Sequence, residues 1–345
     1  MTGAEVCSEK EDATVSNLTA WKVHGPVRSL RIERAKWDLS REEWRQPRNY
    51  GIFRFRPDGE MEESEQHNPD GSIYRSSYRY DESGRLLEIR SGADGTPVSR
   101  DVYEYDDAGR HSRTMHVAAD GTARESEVIS YQGDRRLTKV RFLPPAQASE
   151  NIAYVMEGSE TGFGAPGAVT MTVLYDEQDL PIEHLFHDAN HGLVNRIVCT
   201  RDAAGRLLTE SQLPGPRSME RFAELFKSAP AEERDRATAA LEAMFGRDRP
   251  FSTVTYRYDN AGRLAERDMR TGDLGSHRTT YTYDDNGLEI LNTREDEPGS
   301  QRHHARFEYV HDLQGNWTEH VVWTRPEPNP NFQRSNVERR QISYY

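Results

Sequence analysis

The feature that most constrains this chain is a short pattern that keeps returning at an almost fixed interval. The stretch 77–90, SYRYDESGRLLEIR, contains the pentapeptide DESGR at 81–85, which recurs as DDAGR at 106–110, DAAGR at 202–206, DNAGR at 259–263 and, altered, as DDNGL at 284–288. The aromatic residues that precede these turns keep the same beat. Phe55, Tyr80, Tyr105 and Tyr131 follow one another at spacings of 25, 25 and 26 residues, and Tyr258 and Tyr283 are again 25 apart. A period in the range of ~20–50 residues means that one supersecondary unit is stacked many times, and this signal outranks any local one.

One unit reads as a β-hairpin. Tyr78 and Tyr80 alternate along the incoming strand, and Leu86 opens the outgoing one. A type I turn followed by a left-handed residue needs Gly in that last place, where Gly84 stands, and it sets Tyr80 directly opposite Leu86. Such aromatic and aliphatic cross-strand pairs are favourable. Asp81 and Arg85 face each other across the loop base, as do Asp106 and Arg110, Asp202 and Arg206, and Asp259 and Arg263. An exposed pair of this kind is worth only ~0–1 kcal/mol, so its task is to hold the turn, where Asp also caps backbone amides. The return turns carry Asp-Gly pairs, as in Pro69-Asp70-Gly71, Ala93-Asp94-Gly95 and Ala119-Asp120-Gly121.

Units centred on Phe55, Tyr80, Tyr105, Tyr131, Tyr175, Thr200, Tyr258, Tyr283 and His311 predict on the order of 18–20 strands, which at ~4.8 Å each would span roughly 90 Å. So wide a sheet must twist, curl or close. The expected fold is therefore all-β: a continuous antiparallel sheet of hairpin repeats, strongly curled or closed into a wide barrel-like shell, with an inserted α-helical hairpin.

Residues 1–20 read as a flexible polar leader and 21–345 as a single repeat domain. The first strand is expected at Val23–Ile32, and 36–49, with Trp37 and Trp44, as a segment covering an exposed first edge. Two insertions break the period. Residues 144–168, rich in Gly, Pro and Ala, read as a long loop with a short strand at 152–156. In 218–246, Phe222, Leu225, Phe226 and Ala229, then Ala237, Leu241, Met244 and Phe245, recur at helical spacing, which predicts two helices that bury one face against the aromatic face of the sheet and fill its hollow. A Pro-rich loop, 325–331, precedes a closing strand at Val337–Tyr345.

Composition narrows the function classes. A hydrophobic content of 34% and a mean hydropathy of −0.91 fit a thin sheet that is wet over a large area. A net charge of −13, from 45 basic and 58 acidic residues of interspersed sign, offers no basic stripe for nucleic acid. Two cysteines, Cys7 and Cys199, make no disulfide framework, and Cys7 reads as an idle thiol. No run approaches the ~20 apolar residues of a membrane-spanning helix, and the first residues lack the apolar stretch of a secretory signal, so a start taken literally places the chain in the cytoplasm.

The YDxxGR units at Tyr80–Arg85, Tyr105–Arg110 and Tyr258–Arg263 resemble the YD repeat of bacterial Rhs proteins, and 315–319, Gly-Asn-Trp-Thr-Glu, is similar to the end unit of stand-alone members. The resemblance runs from about Phe53 to Trp323, the insertions excepted. It implies a curling sheet of hairpins, which in large relatives spirals into a hollow shell around a toxin, and an extracytoplasmic or cell-surface location. This chain has too few units for a full shell of that kind. Nothing after Trp323 resembles the self-cleaving core-end motif or a toxin domain.

Candidate contact residues follow from the aromatic alternation. Tyr78, Tyr103, Tyr256 and Tyr281 could stack a sugar or a peptide, and equally form the packing surface of the sheet. Trp317 and Trp323, near the end, serve ligand contact or edge cover. His184, His187 and His191 are the densest histidine group, yet on an extended strand His184 and His187 point to opposite faces, as do His303 and His304, which argues against a shared metal. No phosphate loop or nucleophile elbow is present, and no cofactor or catalytic residue is singled out. Three functions stay open: a non-catalytic binding or scaffold protein holding a protein or glycan partner, a carbohydrate-active enzyme using paired carboxylates in the concave face, and a small encapsulating shell.

Overall fold

The computed structural model describes residues 18, 21–142, 169–187, 192–217, 230–244, 249–272, 275–296, 300 and 302–345. Its strands form one antiparallel sheet that closes on itself. Each strand from Arg48–Phe55 onward pairs with the next, through to Gln333–Tyr344, and the strand Val27–Asp38 pairs with both ends of that series, with Phe53 opposite Leu30 on one side and Ile342 opposite Leu30 on the other. Leaving out the two-residue strand Glu43–Trp44, which only prolongs a hairpin with Val27–Asp38, the barrel has twenty strands. Closure removes both edges of the sheet. Trp37 and Trp44, expected to cover a first edge, therefore have none to cover: they pair with each other, rings 5.0 Å apart.

The repeat behaves as its letters require. Tyr80 lies opposite Leu86, Gly84 has φ +86°, and the amide of Asp81 donates to the carbonyl of Arg85 at 2.9 Å. The Asp81 carboxylate accepts from the amides of Ser83 and Arg85 at 2.9 Å each, and from Arg85 Nε at 2.7 Å. The same capture of two amides by one Asp recurs at Asp106, Asp176, Asp202, Asp259, Asp284 and Asp312. Because every such turn lies between an incoming and an outgoing strand of the same sense, all of them gather at one rim. The long insertions after 142 and 214 leave from the other rim.

Neighbouring units are tied by the tyrosine that precedes each Asp. Its hydroxyl donates to the first carbonyl of the preceding unit's outgoing strand: Tyr80 to Met61, Tyr105 to Leu86, Tyr131 to His111, Tyr258 to Leu207 and Tyr283 to Leu264, at 2.6–2.9 Å. The preceding unit's turn arginine lies over the same ring, as with Arg85 over Tyr105 at 5.0 Å and Arg110 over Tyr131 at 4.2 Å. In the unit of Asp202 the place before the Asp is Arg201, one residue on from Thr200, and its guanidinium reaches the equivalent carbonyl of Pro181.

The seam uses other means. In the last turn Asn316 replaces the arginine, and at 2% exposure it is among the most buried side chains. It accepts from the amide of His24 at 2.6 Å and donates to the carbonyl of His24 at 2.8 Å and to the Tyr344 hydroxyl at 2.9 Å. Tyr344 in turn donates to Asp312, and Tyr345 to the carbonyl of Phe55.

Three expectations need correction. One helix, Ala231–Met244, lies wholly among the described residues, with exposed side chains at 231–236 and Ala239, so the expected helical hairpin is not supported; the side chains of Ala237, Leu241 and Met244, expected to face the sheet, lie outside the described ones. The first arm of the expected helical hairpin lies outside the described residues, as do 144–168 with the short strand expected there, His191 and Cys7. The end of the supposed leader belongs to the fold: Leu18 is buried with Leu30, Ile32, Phe53 and Phe55, and the Trp21 ring lies 4.3 Å from that of Phe53. Cys199 is buried and disulfide-bonded, where the cysteine count led to no disulfide being expected.

Candidate functional site

The two faces of a closed sheet differ in crowding, since side chains converge inward and splay outward. Following the register around the barrel, one face carries Leu30, Phe53, Ser64, Tyr78, Thr114, Val173, His184, Asn195, Ile197, Glu210, Val254 and Tyr256, nearly all buried. The other carries Arg54 paired with Glu63 at 2.8 Å, Arg113 with Glu104 and Glu125 at 3.1 and 3.2 Å, and Arg257 with Glu266 at 2.9 Å, along with many exposed charges. The first face is the inner wall. The outer wall answers its own charges, with Glu88, for example, reached by Arg79, Arg90 and Arg100.

Of the six aromatic residues singled out from sequence, Tyr78, Tyr103, Tyr256, Tyr281 and Trp317 belong to the inner wall, and Trp323, opposite Arg306, to the outer. They do not converge on one point. Tyr78 packs into the apolar cluster of Phe53, Phe55 and Trp21 near the seam. Tyr103 lies against His111, with ring centroids 5.3 Å apart, and burial pushes its hydroxyl pKa up. Tyr256 donates to Glu210 and stands opposite Arg267. Burial, and next the Glu210 charge, push its pKa up. Tyr281, two strands on, is raised by burial as well.

The most ligand-like sector of the wall is one that sequence reasoning touched only through Trp317. There His320 stacks on Tyr309, centroids 4.7 Å apart and planes within 7°, and on Phe307 at 5.4 Å, while the Trp317 ring meets it edge-on at 5.5 Å. Arg340 lies over Trp317 at 3.4 Å. Burial lowers the pKa of His320, and its Nε2 is buried without a hydrogen-bond partner. Tyr309 donates to the carbonyl of Glu289, and burial pushes its hydroxyl to about 12. The Glu289 carboxyl is raised by burial against the opposing effects of Asn292, which donates to it at 2.7 Å, and of Lys22. Rings with exposed edges and unsatisfied polar atoms between them can hold a ligand that is part apolar face and part hydrogen-bonding rim. His320 was missed because a single histidine carries no local pattern.

His184 lies on the inner wall, 4% exposed, with both ring nitrogens lacking a partner, and burial, then Arg141 and Arg201, lower its pKa to about 4. His187 follows a register shift after Phe186. Among the described residues no three His, Cys, Asp or Glu side chains are placed to share a metal ion. His303 and His304 face opposite walls, and His304 contacts Glu327 at 3.2 Å.

No family model and no curated protein matches the sequence. Among solved structures the chain is similar to a porin-like protein from Bacteroides uniformis ATCC 8492, at 9% identity and TM-score 0.36 over 92% of this chain and 97% of that one. It is also similar to a porin-like protein from Bacteroides vulgatus ATCC 8482, at 10% identity and TM-score 0.28 over 91% and 97%. The TcdB2-TccC3 protein without its hypervariable C-terminal region matches 94% of this chain at 15% identity and TM-score 0.34. This chain spans 15% of that one.

Proposed function

We propose that this chain is a non-catalytic binding or scaffold protein of the YD-repeat, Rhs-like kind, which holds a glycan or an extended peptide against its inner wall. The observation that carries this reading is an imbalance. Over most of the outer wall charges are paired strand by strand, the sector of Arg306, Trp323 and Arg325 excepted, whereas the inner wall keeps aromatic rings beside buried polar atoms with no partner at His184, Asn195, Arg267 and His320. A buried polar atom left unpaired costs about 1–3 kcal/mol, and a ligand that supplies its partner regains that. Tyr78, Tyr103, Tyr256, Tyr281 and Trp317 supply ring surface on this reading. Trp323, on the outer wall, does not share it.

A lipid-embedded barrel needs an apolar outward band about 25 Å tall. Here outward strand positions such as Arg79, Glu88, Arg100, Arg113 and Arg257 are charged, which supports a barrel that works in water. Separately, no helix among the described residues is long and apolar enough to cross a membrane.

The test is calorimetric titration of the whole chain with neutral oligosaccharides and short peptides, with product analysis of each mixture. Binding without turnover that His320→Ala or Tyr281→Ala weakens at least tenfold, and outer-wall Arg100→Ala leaves unchanged, is the expected result. Hydrolysis of any bound sugar transfers the reading to the carbohydrate-active enzyme. Absence of binding to both panels, or equal loss from the outer-wall variant, ends it.

A further inference from the structure

The outer wall breaks its own rule in one place. Near the rim that bears the insertions, six side chains from four strands and a loop alternate as ring and cation: Trp37, Arg334, Trp323, Arg306, Phe332 and Arg325. Arg334 lies 4.9 Å from both the Trp37 and Trp323 rings, Arg306 lies 5.0 Å from Trp323 and 5.2 Å from Phe332, and Arg325 lies 5.2 Å from Phe332. Elsewhere on this wall arginines sit against carboxylates. Here Arg306 keeps Glu308 at 2.9 Å, but Arg325 and Arg334 take part in no ion pair among the described residues. The other charged groups close by, His304 and Glu327, are spent on each other.

Stacking between rings covers the flat faces of a guanidinium and leaves its N–H edge directed outward, preorganised and already partly desolvated. Arg334 is exposed and the side chain of Arg306 is 42% exposed, while the Nε atoms of Arg306 and Arg325 are buried without a partner, so the donors open to a ligand are the terminal guanidinium nitrogens. Two successive guanidiniums share one ring and therefore lie within about 10 Å of each other. The result is a row of forked donors, two of the three without a counterion, on a chain whose net charge is −13.

We infer that this row is a second binding site, independent of the inner wall, and that it takes an acidic polysaccharide, one bearing carboxylate or sulfate groups at regular intervals. A planar guanidinium binds either oxyanion through two parallel hydrogen bonds. The closed barrel has no strand edge for a peptide to extend, and the ring faces are occupied by the arginines themselves, so the site lacks the apolar pockets through which side chains of a polypeptide are read. Packing alone accounts for Trp323 and Trp37, which share the outer face with the buried Ala35 and Val337. It does not account for cations left without carboxylates between them.

The experiment immobilises the full chain and measures binding of polygalacturonate, dextran sulfate, uncharged dextran and single-stranded DNA at two ionic strengths. The site predicts salt-sensitive binding of polygalacturonate or dextran sulfate, the two arms telling carboxylate from sulfate, no binding of dextran, and DNA at least tenfold weaker. Arg325→Gln with Arg334→Gln should weaken the acidic glycan at least tenfold. Arg325→Lys with Arg334→Lys, which keeps charge but loses the fork, should give an intermediate loss and serves if the Gln pair fails to fold. Tyr281→Ala on the inner wall should change nothing. No binding of either acidic glycan, DNA binding as tight as both, or variants indistinguishable from the parent would overturn the site, whatever happens at the inner wall.

Discussion

The hydroxyl of Tyr105 donates to the carbonyl oxygen of Leu86 at 2.6 Å, reaching back from one hairpin to the one before it, while Arg85 lies over the Tyr105 ring. The same clasp joins Tyr80 to Met61 and Tyr283 to Leu264. The tyrosine of each YDxxGR unit is thus a rivet between units.

Tyr105→Phe keeps the ring and the cation above it but removes the hydrogen bond, so it should cost about 1 kcal/mol. Tyr105→Ala loses the ring too and should cost roughly 3–5 kcal/mol. Urea unfolding of the two variants should show this order.

Asn316→Ala should be out of proportion to its size. It abandons three hydrogen bonds, two of them to the backbone of His24, where the last turn meets the chain just ahead of the first strand. A loss of roughly 2–4 kcal/mol is expected. Hydrogen exchange should quicken first in Val27–Asp38 and Gln333–Tyr344, the strands on either side of the seam. Uniform quickening around the barrel would refute the seam's special role.

Two glycines should fail for opposite reasons. A Cβ at Gly84 meets nothing within 4 Å, but φ is +86°, so Gly84→Ala pays only backbone strain of ~1–2 kcal/mol. Gly51 has no such φ, yet its Cβ would stand 2.9 Å from the Phe53 ring and 3.0 Å from the Glu65 carbonyl. Gly51→Ala should cost ~1–3 kcal/mol by overpacking. Gly84→Asn should recover part of the first loss, since Asn tolerates the left-handed region, and Gly51→Asn should deepen the second.

His184 gives the acid limb of stability a distinct step. Its pKa is lowered to about 4 in the fold, against ~6.5 when unfolded. Between these values the unfolded chain binds a proton that the folded chain refuses, so stability is full above about pH 6.5 and falls as pH drops toward 4, by up to ~3 kcal/mol. The turn carboxylates Asp81, Asp106, Asp202 and Asp259 are lowered by hydrogen bonds, so their loss comes at lower pH. His184→Leu should remove the step between pH 6.5 and 4 and leave the later decline. An unchanged profile would mean that His184 is already paired.

Much of this was legible in the letters because it is local. A turn of fixed length with Gly in its last place sets the partner of Tyr80 whatever surrounds it, and the count of such turns came within the range of the strands observed. Helical periodicity likewise found Ala231–Met244. That periodicity does not say what the helix packs against, because an apolar stripe shows that a face wants cover and not which surface supplies it. His320 was invisible for a related reason: its stack is made of Phe307, Tyr309 and Trp317, and only strand pairing brings them together.

By itself the sequence determined the repeating hairpin, its register and its turn chemistry, since all of these depend on residues fewer than ten apart. It did not determine whether the ribbon shuts or which of two alternating faces turns inward. Those depend on Val27–Asp38 finding Gln333–Tyr344, with Asn316 reaching His24 across 292 residues of chain, and on curvature summed over twenty strands. Alternation marks two faces equally, and only closure makes one of them concave and crowded.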